Sequence, residues 1–72
     1  MSYGIYRVNT DELLKEWDKE HGRIPVWVAA DKRDNRTCKQ YDDRSKAQSD
    51  CDVLSDVLNF AVIVVNLENK QF

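Results

Sequence analysis

The chain offers few side chains able to do chemistry: one histidine, His21, and two cysteines, Cys38 and Cys51. As a general base, His21 would need a nucleophile held against it, and no serine or cysteine has an evident geometric tie to it. Its place at the end of an expected helix suits an imidazolium near the negative pole of the dipole, so it reads as a capping or surface residue. Arg36 and Lys39 flank Cys38 and would lower its thiol pKa. Catalysis also requires a base and an oxyanion site, and only His21 is at hand for the first. Cys38 therefore reads as a buried, weakly polar strand residue, and Cys51 as packing on an apolar helix stripe. Two cysteines are too few for a disulfide framework and lack metal-ligand spacing. Both are expected to be reduced, in a cytoplasmic protein.

The carboxylates are numerous but poorly arranged for catalysis. Asp42 and Asp43 are adjacent, so on an extended segment they point apart, and helix capping accounts for both. Asp50, Asp52 and Asp56 lack the glycine and closing glutamate of a calcium loop, which leaves a solvated acidic helix face. Two glycines in the whole chain exclude a glycine-rich phosphate loop. No catalytic residue, metal site or cofactor is expected.

The remaining polar signal is basic. Lys32, Arg33, Arg36 and Lys39 fall on an expected hairpin, with Trp27 and Tyr41 close in sequence. Basic and aromatic residues on one β surface could hold phosphates and stack bases. Asp31, Asp34, Asp42 and Asp43 are interspersed, however, and would repel a nucleic-acid backbone. The net charge of −2 also points to no bulk polyanion. The preferred reading is an ordinary solvated turn or a charged protein-binding rim, with nucleic-acid contact through residues 32–39 as the alternative. If Val26 and Val28 face the core, Trp27 faces outward, where a tryptophan near arginine resembles an interface hot spot. The alternative is that Tyr6 or Tyr41 covers it. The expected protein-binding set is thus Trp27, Arg33, Arg36, Lys39 and Tyr41.

These residues need elements to position them. Tyr3–Val8 is rich in aromatic and β-branched residues and predicts a strand. Asn9 or Thr10 can cap a helix that Leu13, Leu14, Trp17 and His21 continue at helical spacing, and Gly22 and Pro25 would end it. A helix over 10–21 is expected. Ile24–Ala30 predicts a strand, Asp31–Arg36 a turn, and Thr37–Tyr41 a returning strand. A second helix starts at Asp42, Asp43 or Ser45. Ala47, Cys51, Leu54, Leu58, Ala61 and Val65 recur at four-three spacing, so this helix is expected to run to about Leu67. The competing reading stops it at a left-handed Asn59 and makes Phe60–Val65 a buried strand.

Seventy-two residues make one domain, 1–72, near the lower size limit for a self-sufficient core. The expected fold is α+β: a small β-α-β-β-α domain with an antiparallel sheet, two helices on one face and a long C-terminal helix. The inward set would be Val8, Leu13, Leu14, Trp17, Ile24, Val26, Val28, Cys38, Leu54, Leu58, Ala61 and Val65. This leaves Val53, Val57, Phe60, Val64 and Leu67 as an exposed helical seam that would pair two copies. The N-terminus has no apolar segment of a secretory signal, and the C-terminal apolar run falls short of the roughly 20 residues a membrane span needs. The functional expectation is a small non-catalytic protein-binding module: a homodimeric inhibitor or adaptor occupying a partner's functional surface. Its size suits a product of a virus or mobile element. The alternative is a small nucleic-acid-binding regulator.

Overall fold

A computed structural model describes residues 2–30 and 38–68 of the chain. The protein is α+β, with one four-stranded antiparallel sheet and one helix. In chain order the elements are β1 (Tyr3–Arg7), β2 (Glu12–Glu16), β3 (Val26–Ala29), α1 (Arg44–Asp56) and β4 (Val62–Asn66). The strands lie in the order β3-β2-β1-β4, so a meander of the first three is completed by β4 on the far side of β1. The helix packs on β4 and β1. The expected pair of helices on one face is therefore corrected to a single helix.

The expected helix over 10–21 is a turn, a strand and a loop. Leu13 and Leu14 are both fully buried, but in different clusters. Leu14 joins Ile5, Ala47, Cys51 and Leu54 beneath the helix, and Leu13 joins Cys38, Val65 and Leu67 on the opposite face. Only an extended backbone sends adjacent residues to opposite sides. The residues that resembled a helix cap form the β1–β2 turn instead, with Asp11 at φ 55°. Asn and Asp serve both purposes because their short polar side chains bond to nearby backbone and tolerate left-handed conformations. Gly22, at φ 65°, turns the loop between β2 and β3 rather than ending a helix. Pro25 sits buried just before β3, where its missing N–H costs no ladder bond.

The long C-terminal helix is likewise corrected. The helix begins at Asp43, whose carboxylate accepts the Ser45 N–H at 2.9 Å, and ends at Asp56. Asn59 takes a left-handed conformation at φ 62°, and the Phe60 N–H returns to the Leu54 carbonyl at 3.0 Å. Val62–Asn66 then forms β4, aligned with β1 from Tyr3↔Asn66 to Arg7↔Val62. The apolar run Phe60–Val65 supplies a strand whose Val62 and Val64 pack under the helix and whose Val65 packs on the other side, where Ile63 stays half-exposed. β-Branched side chains lose little freedom there and fit the pleat. The N–H of Val8 donates to the Ala61 carbonyl and that of Leu67 to the Ser2 carbonyl, each at 2.9 Å.

Several positions expected inside are outside. Val8, Val26 and Leu58 are exposed, and Ile24 is 83 % exposed; Ala61 is exposed too. The helical seam does not form as a stripe. Val53 lies on the helix, Val57 at its C-cap, Phe60 in the connection, and Val64 in β4, while Leu67 is buried on the opposite sheet face. Leu67 lies so close to Gly4 that a Cβ there would meet its Cδ2 at 3.0 Å.

Thr37 lies outside the described residues, and Cys38–Tyr41 makes no strand beyond one bridge to Tyr3. The Lys39 N–H donates to the Leu14 carbonyl, and Tyr41 exchanges both backbone bonds with Tyr3, all at 2.8 Å. Cys38 packs on one sheet face and Tyr41 on the other. This segment thus crosses the sheet between the ends of β1 and β2, whose mutual pairing covers only Tyr6↔Leu13 and Arg7↔Glu12.

Candidate protein-binding surface

Alternation along β3 puts Trp27 on the helix side of the sheet, against one cluster, and Val28 on the other side, against the second. Val28 thus meets a core as expected, while Trp27, expected to face outward, packs inward and Val26 is exposed. Because α1 covers only the β1 and β4 half of that side, aromatic side chains roof the rest. Trp17, Trp27 and Phe60 pack over the cluster that contains Leu14. The Trp27 and Phe60 rings meet at a tilt, 5.4 Å between centroids. Arg7, at the end of β1, places its guanidinium 4.7 Å from the Phe60 centroid and 5.3 Å from that of Trp27. Such cation–π contacts are worth about 0.5–1 kcal/mol where water reaches them. Trp27 is half-buried, so it offers a partner its rim rather than its whole face.

A cleft of about 470 Å³ opens where β2 ends and β3 begins. Trp17, Ile24 and Val26 give it an apolar lining, and Glu16, Asp18, Arg23 and Lys39 supply charges of both signs. The Trp17 Nε1–H donates to the Arg23 carbonyl at 3.1 Å, which ties the loop's two sides together and holds the indole in place. The alternation of Ile24, Val26 and Val28 points these residues to the core, which hides this surface from the sequence. The sequence signal available was Pro25, which confines the start of β3 to an edge.

Asp50 belongs to a third feature. It is 8 % exposed and accepts the Tyr41 hydroxyl at 2.6 Å on one oxygen and Lys19 on the other. Burial, followed by the hydrogen bond to Asp50, pushes the Tyr41 hydroxyl far above its ordinary pKa. A buried carboxylate is tolerated when its oxygens are satisfied in this way. Asp50 is therefore not part of a solvated acidic face. The clue was its spacing, three residues after Ala47 and four before Leu54, on the apolar stripe itself.

Of the expected binding set, Trp27 and Tyr41 both join the helix-side cluster, and Lys39 lines the cleft with its Nζ 5.3 Å from the Tyr41 centroid. Arg33 and Arg36 lie outside the described residues, as does Lys32. His21 is exposed and holds Asp18 at 2.7 Å. Cys38 and Cys51 are buried, and desolvation pushes both thiols up, which disfavours the nucleophilic thiolate. Asp42 pairs with Lys46 at 3.7 Å, and Asp52 accepts from Gln48 at 2.9 Å. Among the described residues, no group of three or more His, Cys, Asp or Glu side chains could hold a metal ion, and no helix is long and apolar enough to cross a membrane. The chain matches no family model, no curated protein and no solved structure.

Proposed function

We propose that the chain is a non-catalytic protein-binding module, an inhibitor or adaptor that docks on another protein through the cleft between the end of β2 and the start of β3. The observation that carries this reading is Ile24, 83 % exposed in a cleft with Trp17 and Val26. Covering apolar surface yields about 25 cal/mol per Å², so an isoleucine held out beside a fixed indole is a ready anchor. Charges of both signs around it set the direction and register of an incoming chain. A bulk polyanion would meet Glu16 and Asp18 there as well as Arg23 and Lys39.

The test is capture from a lysate of the native host with wild-type and Ile24→Asp protein, each with and without nuclease. A stoichiometric protein that survives nuclease and falls about tenfold with Ile24→Asp is the expected result, since a central apolar anchor is worth roughly 1.4 kcal/mol or more. Equal capture by both proteins overturns the assignment to this cleft. Signal abolished by nuclease overturns the protein-binding reading and turns attention to Lys39, Arg33 and Arg36.

A further inference from the structure

We infer that the outer edge of β4 is the contact between two copies of this chain, joined about a two-fold axis at Val64 into one continuous antiparallel sheet. Among the described residues β4 pairs only with β1. The bonds from Val8 to Ala61 and from Leu67 to Ser2 show that odd-numbered residues of this segment turn their backbone groups toward β1. In an antiparallel ladder the alternate residues then point theirs the other way. The N–H and C=O groups of Val62, Val64 and Asn66 therefore face outward along a straight edge whose register with β1 has no bulge.

That edge is complementary to itself. A two-fold axis at Val64 sets Val64 against Val64 of the second copy and Val62 against Asn66, and in both pairs each residue donates and accepts. On the other sheet face, Ile63, which is 48 % exposed, comes against Val65 of the second copy and loses water. Sheet edges are ordinarily protected by lysine, proline, a bulge or a covering segment. From Phe60 to Leu67 the chain has no charged residue and no proline. The opposite edge, β3, has such protection: Pro25 precedes it, and its pairing with β2 is bulged.

The helix adds the choice of partner. Arg44 lines a hollow with Tyr3, Val64, Val65 and Asn66, which places the flank of α1 carrying Arg44, Gln48 and Asp52 beside this edge. Asp50 faces Lys19 and Tyr41, on the other flank. The two-fold axis lays α1 antiparallel to its copy, so the basic start of one helix lies along the acidic second half of the other. The dipoles oppose as well. A second copy thus satisfies both the ladder and the charges.

Sedimentation of the full chain across the micromolar to millimolar range tests this, with circular dichroism to confirm that each variant is folded. The wild type is expected at twice its chain mass of 8.5 kDa. Ile63→Lys, at a half-exposed position, should raise the dissociation constant at least tenfold. Arg44→Asp and Asp52→Arg should each weaken the dimer, and the two together should restore it, which mere misfolding would not do. A wild type that stays monomeric overturns the inference. So does a dimer indifferent to Ile63→Lys and to the charge exchange. The inference is independent of the cleft, and Ile24→Asp should leave the dimer unchanged.

Discussion

Replacing Asp50 by alanine would remove the acceptor of both Lys19 and the Tyr41 hydroxyl. Asp50→Ala breaks both the Lys19 ion pair and the hydrogen bond from Tyr41, and leaves the buried hydroxyl without an acceptor. Tyr41→Phe removes one hydrogen bond to a charged group, worth about 1.5–3 kcal/mol, and leaves Asp50 its Lys19 partner. Urea denaturation should therefore rank Asp50→Ala as more destabilising than Tyr41→Phe, and an inverted order would contradict the network. Asp43 gives a pH signature of its own. Its bonds to the Ser45 hydroxyl and N–H hold the carboxyl below its ordinary value of 3.8. A depressed folded-state pKa adds stability that is present above the unfolded value and lost as pH falls through the folded one. Helicity followed by circular dichroism below pH 3.8 should thus fall more steeply in the wild type than in Asp43→Asn, which keeps a capping side chain that does not titrate. The capping role of Asp43 is legible in the sequence, since an aspartate before a helix start is a common cap. That of Asp50 is not, because its charge suggests solvent and only its place on the apolar stripe points inward.

At the scale of elements, the two corrections share a cause. Helical spacing in Leu13-Leu14-Trp17 and across Leu54, Leu58, Ala61 and Val65 was real, but periodicity reports only which residues could share a face. It is silent on whether a neighbouring strand waits to pair. β2 sits between β1 and β3, and β4 completes the other side of β1, so the ladder overrode weak helix preference. The β1 and β3 strands and the Ala47–Leu54 core of the helix were legible because their composition and spacing agreed. One comparison separates the two readings of the C-terminal half. Leu54→Ala should cost about 2–5 kcal/mol, since Leu54 is fully buried. Leu58→Ala should change stability by only about 0.5 kcal/mol, since Leu58 is exposed and past the helix end. Equal losses in thermal or urea unfolding would restore the longer helix.

For the whole molecule, the α+β class and the antiparallel sheet were legible, and the strand order was not. The pairing of Tyr3 with Asn66 joins nearly the two ends of the described chain, and such a contact leaves no local trace in composition or spacing. The candidate cleft was illegible for a related reason. It depends on Ile24 lying outside a sheet that the local pattern would have put it in. The passage of residues 38–41 between β1 and β2 also orders events in time. As the chain is synthesised, β1, β2 and β3 emerge first, but Tyr3 cannot find its partner until Tyr41 has left the ribosome, nor Ser2 until Leu67 has followed. For most of its birth the nascent chain therefore carries an open strand end, the kind of edge on which a chaperone or a neighbouring polypeptide can seize.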